Sequence, residues 1–315
     1  EVLPRETIPG ADDRVQLSID LREGEFRILP GEPGEPIRID ADYDAGVYAL
    51  EKEHELAAEG TERMAIRFRS RYSLLRRLLT MGEDAEPENR VDIYLPPDLP
   101  LDLDVKISVG ESEVDLSGLA LAGLKLHLTI GEHDVRFSEP NLLALDTLDI
   151  TASKGEFTFT ELGNAAFRDA NVKGSMGEVS LDLRGDYLED ASVVTRFRMG
   201  ECRVTVPEDM HVEVTSSVSM GDRRVSVNTP DELPADAPRL SVDATLSMGE
   251  LDIRSAAPEG GTADASIVEV TSVVETPSSE APSSETPSSE ALDAPAGLSA
   301  PEPPPAPEPL PEAEG

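Results

Sequence analysis

Two neighbouring stretches of the chain follow one template: LDVKISVGESEV at residues 103–114 and LKLHLTIGEHDV at residues 124–135. In both, apolar and polar residues alternate up to a Gly that is followed by Glu. Alternation with a period of two is typical of a β-strand with one buried face. A Gly followed by an acid occurs in seven copies at spacings of 21 to 28 residues, and these marker glycines are Gly110, Gly131, Gly155, Gly177, Gly200, Gly221 and Gly249.

The residues that flank the marker glycines agree as well. The residue seven positions before the Gly is apolar in every copy, and the residue four positions before it is always polar. The residue four positions after the Gly is apolar throughout: Val114, Val135, Phe159, Leu181, Val204, Val225 and Ile253. An eighth copy around Gly24 fits the same frame. Each copy predicts two short strands joined at a glycine, where the backbone bends or needs a positive φ.

Units of this length cannot bury a core alone, but stacked units can. We therefore predict an all-β fold over residues 1–254: a single-stranded, right-handed β-solenoid of about seven to eight rungs, similar to a parallel β-helix. Residues 31–90 are predicted to be an insertion between the first strands and the main stack. An antiparallel sandwich is the alternative. It is disfavoured because hairpin pairs such as Asn-Gly are absent and the same residue types recur at the same positions.

Composition limits the class of protein. The 315 residues contain 64 Asp and Glu against 27 Lys and Arg, a formal charge of −37, so we predict no nucleic-acid partner. No apolar run reaches the roughly 18 residues of a transmembrane helix, and one Cys cannot form an intrachain disulfide. Residues 255–315 hold 12 acids and no Lys or Arg, which predicts a disordered acidic tail. Since the chain starts at Glu1, we expect a removed upstream segment, for which a signal peptide is one candidate.

Two repeated side chains are candidate ligands. The acid after each marker glycine would form a ladder that could hold Ca²⁺. One carboxylate per rung supplies too few ligands, which favours a solvated acidic face. Met precedes the glycine in four consecutive copies, at Met176, Met199, Met220 and Met248. A row of thioethers near Cys202 would suit Cu(I), but the alternation places these side chains inward, so we predict that they fill the core. No cofactor is predicted.

The one basic island of the chain lies at residues 61–79, where arginines are interleaved with apolar residues. Its arginines are Arg63, Arg67, Arg69, Arg71, Arg76 and Arg77. Residues 61–70 alternate like a strand, and residues 72–79 could form a short amphipathic helix. One hypothesis is contact with a partner or with an anionic membrane surface. The other is a strand and loop that are neutralised by the protein's own acids.

No catalytic site is visible in the sequence. The four histidines, His54, His127, His133 and His211, lack metal-ligand spacing, and no Ser/His/Asp set, P-loop or dinucleotide fingerprint is present. Carboxylates are abundant, so counting alone leaves a glycosidase pair open. We predict no catalytic, cofactor-binding or metal-binding residues, and we predict that the protein is not an enzyme.

Residues 95–119, LPPDLPLDLDVKISVGESEVDLSGL, carry a family resemblance. A strand that ends in Pro leads into a Gly-marked rung, then into Asp-Leu-Ser-Gly-Leu, and a second Gly-marked rung follows at Gly131. This pattern resembles the toast-rack domain of bacterial LiaF-like, cell wall-active antibiotics response and adhesin-like proteins, over about residues 12–254. The resemblance implies a non-catalytic protein of the cell envelope or surface, with no catalytic residues to carry over.

Three functions follow as hypotheses. The first is a non-catalytic structural or adhesin-like binding module that is secreted or lies in the cell envelope, with an unknown protein or envelope partner. The second is an envelope-stress regulatory component that binds a membrane sensor through the arginine segment. The third is a carbohydrate-active β-helix enzyme. Outward acids that converge with Arg in a groove would favour the enzyme, whereas a flat acidic face would favour the binding module.

Overall fold

The computed structural model of the chain describes residues 14–56, 61–71, 89–228, 233 and 237–257. These residues fall within one compact unit, Glu1–Val270. The predicted helix at 72–79, with Arg76 and Arg77, lies outside the described residues, as does the predicted tail from residue 258 onward. The division of the chain into a solenoid and a disordered tail therefore stays a prediction.

The described chain is almost entirely β-strand, with a single short 3₁₀ turn at Leu162–Ala165. The strands are β1 (Val15–Pro30), β2 (Arg38–Asp42), β3 (Tyr48–Leu56), β4 (Glu62–Ser70), β5 (Arg90–Leu95), β6 (Leu101–Asp115), β7 (Leu121–Arg136), β8 (Leu145–Thr160), β9 (Phe167–Asp182), β10 (Ala191–Pro207), β11 (His211–Ser226) and β12 (Arg239–Ala256).

Eight long strands carry a marker glycine near the middle, and they pair with one another only in parallel. The order across the open sheet is β11-β12-β10-β9-β8-β7-β6-β1-β4-β3. Among the described strands, the antiparallel pairs are β2 with β5 and β3 with β4. The predicted all-β solenoid of stacked rungs is confirmed, and the antiparallel sandwich is excluded.

The register follows the repeat of the sequence. Val114 is paired with Val135, which is paired with Phe159, which is paired with Leu181. All four are buried, and the column continues through Ile28, Val204 and Ile253 into one hydrophobic core. Columns of aliphatic and aromatic side chains therefore run through the stack, each at a constant distance in sequence from its glycine.

The marker glycines bend each long strand and touch the next one. All eight have φ between +127° and +147°, a region that L side chains rarely adopt. A Cβ built on Gly131 would lie 1.8 Å from the carbonyl oxygen of Gly110, and one on Gly155 would lie 1.9 Å from that of Gly131. Both the backbone angle and the close approach exclude any other residue at these positions.

The described residues between 31 and 95 complete the other edge of the stack. β1 pairs directly with β6. On its opposite side, β4 pairs with the first half of β1 and β5 pairs with the second half. Together, β4 and β5 therefore occupy the position beside β1 that one further bent strand would occupy. In the chain this segment stands between β1 and β6, but in the sheet it does not separate them.

The last two strands differ from the sequence order, since β12 lies between β10 and β11. Where β12 buries Ala244 and Leu251, β11 carries Ser216 and Arg223 at the paired positions. The more apolar strand therefore takes the inner place, and the more polar strand caps the stack. Terminal repeats of solenoids commonly need such a polar outer face.

The corner after β6 explains the Asp-Leu-Ser-Gly-Leu motif. The Asp115 carboxylate accepts hydrogen bonds from the Ser117 amide, at 3.1 Å, and from Arg136 Nε of the next rung, at 2.9 Å. The Ser117 hydroxyl accepts one from the Ser138 amide at 2.7 Å. Gly118 turns the chain with φ +63°. The motif therefore ties one rung to the following one.

Two buried asparagines stabilise the turns that connect β7 to β8 and β8 to β9. Asn141 Nδ2 donates to the carbonyl oxygens of Leu121, at 2.8 Å, and Leu143, at 2.6 Å, while its Oδ1 accepts from the Leu121 amide at 2.8 Å. One rung on, Asn164 Nδ2 donates to the Phe137 carbonyl at 2.7 Å. These side chains satisfy backbone groups that the turns would otherwise bury unpaired.

Candidate functional site

An open groove of about 660 Å³ lies on the outward face of the first halves of the strands. A second cavity of about 450 Å³ shares Ser18, Arg67 and Asp104 with it and extends it toward Thr151. We call the two together the outer groove. Its charged residues come from six strands: Asp20 of β1, Glu53 and Glu55 of β3, Arg63 and Arg67 of β4, Asp102, Asp104 and Lys106 of β6, Lys125 of β7 and Asp149 of β8.

Charges on the floor of the outer groove alternate across the strands. Asp104 is paired in register with Lys125, which is paired with Asp149. Neighbouring strands lie roughly 4.8 Å apart, so the lysine stands between two carboxylates. Asn171 Nδ2 donates to Asp149 Oδ1 at 3.3 Å and extends the row by one strand. The floor thus presents both signs of charge along a rigid sheet.

The arginine segment forms the wall of the outer groove. Residues Glu62–Ser70 are strand β4, as the alternation predicts. Arg67 bonds Glu53 at 2.6 Å and Arg69 bonds Glu51, so β3 neutralises two of the arginines. The Arg69 guanidinium lowers the pKa of the Glu51 carboxyl through this hydrogen bond. Acids of the same chain therefore neutralise Arg67 and Arg69, as the second hypothesis for this segment expects.

The other two described arginines are also engaged. Arg63 Nε donates to Gln16 Oε1 at 3.0 Å, and Arg71 Nε donates to the Tyr48 carbonyl at 2.9 Å. Arg63 and Arg67 line the outer groove. The contact of the six arginines of this segment with a partner or a membrane stays a prediction.

The histidines are dispersed. His127 borders the outer groove, and His54 Nε2 lies 2.6 Å from Glu62 Oε1. His133 is buried, and its Nδ1 shares a hydrogen bond of 2.8 Å with the Ser112 hydroxyl. Its ring stacks on Phe157 with the centroids 5.4 Å apart. Within the described ranges, no group of three or more His, Cys, Asp or Glu could hold a metal ion.

The buried imidazole predicts loss of stability in acid. Burial lowers the pKa of His133 to about 4, against weaker opposing effects of the Ile130 carbonyl and Asp134. A folded-state pKa below the unfolded value means that stability is lost as the pH falls from about 6.5 toward 4. Phenylalanine does not titrate, so we expect the stability of His133→Phe relative to the native chain to rise by about 2–3 kcal/mol as the pH is lowered from about 7.5 to about 4.5. Urea unfolding of both chains at each pH measures this difference.

The control for this prediction is His211→Gln, since His211 is only half-buried. This variant is expected to follow the pH profile of the native chain. Parallel profiles for His133→Phe and the native chain would contradict a desolvated, neutral imidazole in the core.

The methionines before the marker glycines are not in the core, so the prediction that they fill it is wrong. Their exposed fractions are 48% for Met176, 44% for Met199, 63% for Met220 and 41% for Met248. The glycine bend interrupts the alternation, so that Ser175 and Met176 both point outward in succession. Cys202, near them in sequence, is fully buried.

The acids after the marker glycines lie outward. Six of them are exposed, while Glu201 and Glu250 are half-buried and bond Arg203 and Arg224. The exposed acids are Glu25, Glu111, Glu132, Glu156, Glu178 and Asp222. The arrangement is a solvated face with partial neutralisation by arginine.

The fold and the groove define an open solenoid of glycine-bent strands with a grooved polar face. Two family models match the chain: "N-terminal domain of toast_rack, DUF2154" over residues 6–147, and "Cell wall-active antibiotics response LiaF, C-terminal" over residues 159–257. The chain therefore belongs to the toast-rack/LiaF-like family. The predicted family is confirmed.

The chain was also compared with solved structures and with curated proteins. A solved structure of a "putative cell adhesion protein" from Clostridium sporogenes is similar with a TM-score of 0.40 and 14% identity, over 80% of this chain and 97% of that one. The search of curated proteins found no match. Among the described residues, no helix has the length and apolar character needed to cross a membrane.

Proposed function

We propose that this protein is a non-catalytic module of the cell envelope, or a secreted one, that binds an extended polar polymer in the outer groove. Membership of the toast-rack/LiaF-like family supports an envelope role without catalysis. The observation that carries the binding role is the in-register row of Asp104, Lys125 and Asp149 along an open floor. Rigid strands hold the backbone of these residues at fixed spacing, so binding has to order only their side chains.

The chemistry of the outer groove limits the partner. Acids and bases alternate on its floor, so a ligand of one charge sign would meet like charge at every second strand. A polymer with both amino and carboxylate groups meets each sign with its opposite. Cell-wall material that carries peptide stems has both groups, and the family model for cell wall-active antibiotics response agrees with that choice.

Cosedimentation with purified bacterial cell-wall sacculi tests this proposal. We expect the native chain to bind and the double variant Arg63→Ala/Lys125→Ala to bind about fivefold more weakly or worse. Both side chains line the outer groove. The matched control is Arg168→Ala/Arg203→Ala, which removes two exposed arginines that pair with Glu189 and Glu201 elsewhere. Absence of binding, or an equal loss in the control, would contradict the proposal.

A carbohydrate-active enzyme is the second candidate, because acids do converge with Arg63 and Arg67 in a groove. A glycosidase acid needs a raised pKa, which a desolvated pocket supplies. Here the groove is open, and Lys125 stands between Asp104 and Asp149. We expect no new reducing ends when the chain is incubated with cell-wall glycan. Release of such ends that Asp104→Asn abolishes would establish the enzyme instead.

The regulatory hypothesis is supported by the LiaF model match alone. The four described arginines of its proposed contact, the arginine segment, are already bonded to β1 and β3 within the chain. β4 also lies between β1 and β3 in the sheet, so deletion of this segment would disrupt the fold. Capture by anionic liposomes that Arg63→Ala/Arg67→Ala weakens would favour the membrane-linked role over binding to the cell wall.

A further inference from the structure

Four thioethers form a continuous row on the outside of the glycine bend. Met176 is paired in register with Met199, Met199 with Met248, and Met248 with Met220. We call these four residues the methionine ridge. Adjacent strands are roughly 4.8 Å apart, so each sulfur has a neighbouring sulfur within reach of one shared ion. All four side chains are 41% to 63% exposed.

The methionine ridge occupies four adjoining strands, and the other long strands carry different residues at the same register position. Toward β1, the same register position is occupied by Lys154, Ile130, Val109 and Glu23. Exposed positions beside a bend therefore do not require methionine in this fold. Four adjoining strands nevertheless carry it, even though two of them, β12 and β11, have exchanged places relative to the sequence. The exchange leaves the row unbroken, because both of these strands carry Met at this position.

The chemistry of the row selects a soft cation. Thioether sulfur is a soft, uncharged ligand that favours Cu(I) over Zn²⁺, Mg²⁺ or Ca²⁺. The residue after each glycine on these strands is an acid: Glu178, Glu201, Glu250 and Asp222. The carboxylates next to the ridge, on a chain of net charge −37, raise the local concentration of cations. Arg198, beside Met199, opposes this attraction, and Arg203 and Arg224 partly neutralise Glu201 and Glu250.

We propose that the methionine ridge binds a soft monovalent metal ion, Cu(I), between thioethers of adjacent strands. The site is independent of the outer groove, because no ridge residue lines that groove. Each sulfur donates a lone pair to the ion, and no bond in the protein is broken or oxidised. The rigid ladder holds the backbone of the four methionines at fixed spacing, so binding orders their side chains alone.

The test uses the full chain with methionine methyl groups labelled with ¹³C, and Ag(I) as a redox-inert probe of the same softness. All variants also carry Met81→Leu, because Met81 lies outside the described residues. Ag(I) is expected to shift the four ridge resonances, assigned by single Met→Leu substitutions. The resonance of Met210, which is buried, is expected to stay in place. Unchanged ridge resonances would overturn the proposal and leave the ridge as an apolar surface only.

Competition under anaerobic conditions measures the affinity for Cu(I) itself. The native chain is expected to withdraw Cu(I) from its bicinchoninate complex. The ridge variant Met176→Leu/Met199→Leu/Met220→Leu/Met248→Leu is expected to bind at least about tenfold more weakly. Leu keeps the exposed apolar surface, so folding is retained. The control Val109→Leu/Ile130→Leu alters the same column without removing sulfur. Equal affinity in the ridge variant and the native chain would overturn the proposal.

Discussion

Gly155→Ala is expected to lower the free energy of unfolding by more than about 4 kcal/mol. Two costs add at this position. The added Cβ would lie 1.9 Å from the carbonyl oxygen of Gly131, which is backbone and cannot rotate away. The φ of +146° would also be imposed on a residue with a side chain. Gly155 lies in β8, the fourth of the eight long strands counted from β1. The clash would therefore occur in the middle of the sheet.

The matched control is Gly34→Ala. Gly34 also has a positive φ, +80°, but no atom lies within 4 Å of its Cβ position. This variant is expected to lose only about 1–2 kcal/mol, the cost of the backbone angle alone. Urea unfolding followed by circular dichroism measures both. Equal losses in the two variants would mean that the glycines of neighbouring strands do not touch.

Asn141→Ala is expected to lower the free energy of unfolding by about 3–5 kcal/mol. The amide side chain of Asn141 holds the amide and the carbonyl of Leu121 and the carbonyl of Leu143. Truncation leaves these backbone groups without that partner in a buried corner, and each unsatisfied group costs about 1–3 kcal/mol. The turn that returns the chain from β7 to β8 would therefore open first.

Asn171→Ala is the control for the asparagine prediction. Asn171 is half-buried and makes one side-chain hydrogen bond, at 3.3 Å to Asp149. We expect it to cost about 1 kcal/mol or less. Amide hydrogen exchange locates the effect: faster exchange of Leu121 in Asn141→Ala, and unchanged exchange there in Asn171→Ala. Comparable losses of stability in both variants would contradict the structural role of Asn141.

The repeat in the sequence made the pairing register of the long strands predictable. The residues four positions after each marker glycine share one buried column because their distance from the bend is constant, as Val114 and Val135 show. The polar residues four positions before it lie outward for the same reason, as Lys106 and Lys173 show. A local pattern therefore determined a long-range arrangement, because each coil repeats the same geometry.

The ridge was not predictable by alternation, since the bend adds an outward residue. Ser175 and Met176 are both exposed, whereas strict alternation would bury Met176. One signal in the sequence could have warned of this. The same position holds Lys154 and Glu23 in two other copies. Charged residues are rarely found at core positions.

The outer groove and the strand exchange depend on contacts between distant segments. β3 and β4 belong to no copy of the repeat, so their place beside β1 could not be read from it. From Gly110 onward, the interval between Gly221 and Gly249 is the longest of the spacings, 28 residues, so more chain separates β11 from β12 than separates the other successive strands there. The polar residues of β11, including Ser216 and Arg223, supply the energetic reason for the strand exchange.

Distances between pairs of spin labels test the central claim, a stack of bent strands in register. Cysteines at Lys106 and, in turn, Lys173, Arg196, Thr245 and Ser217 would occupy one outward column. The native Cys202 stays unlabelled because burial raises the pKa of its thiol to about 12. The account predicts that the distance grows by roughly 5 Å per strand in that order, with Ser217 farthest. A distance to Thr245 longer than that to Ser217, or no steady increase, would contradict it.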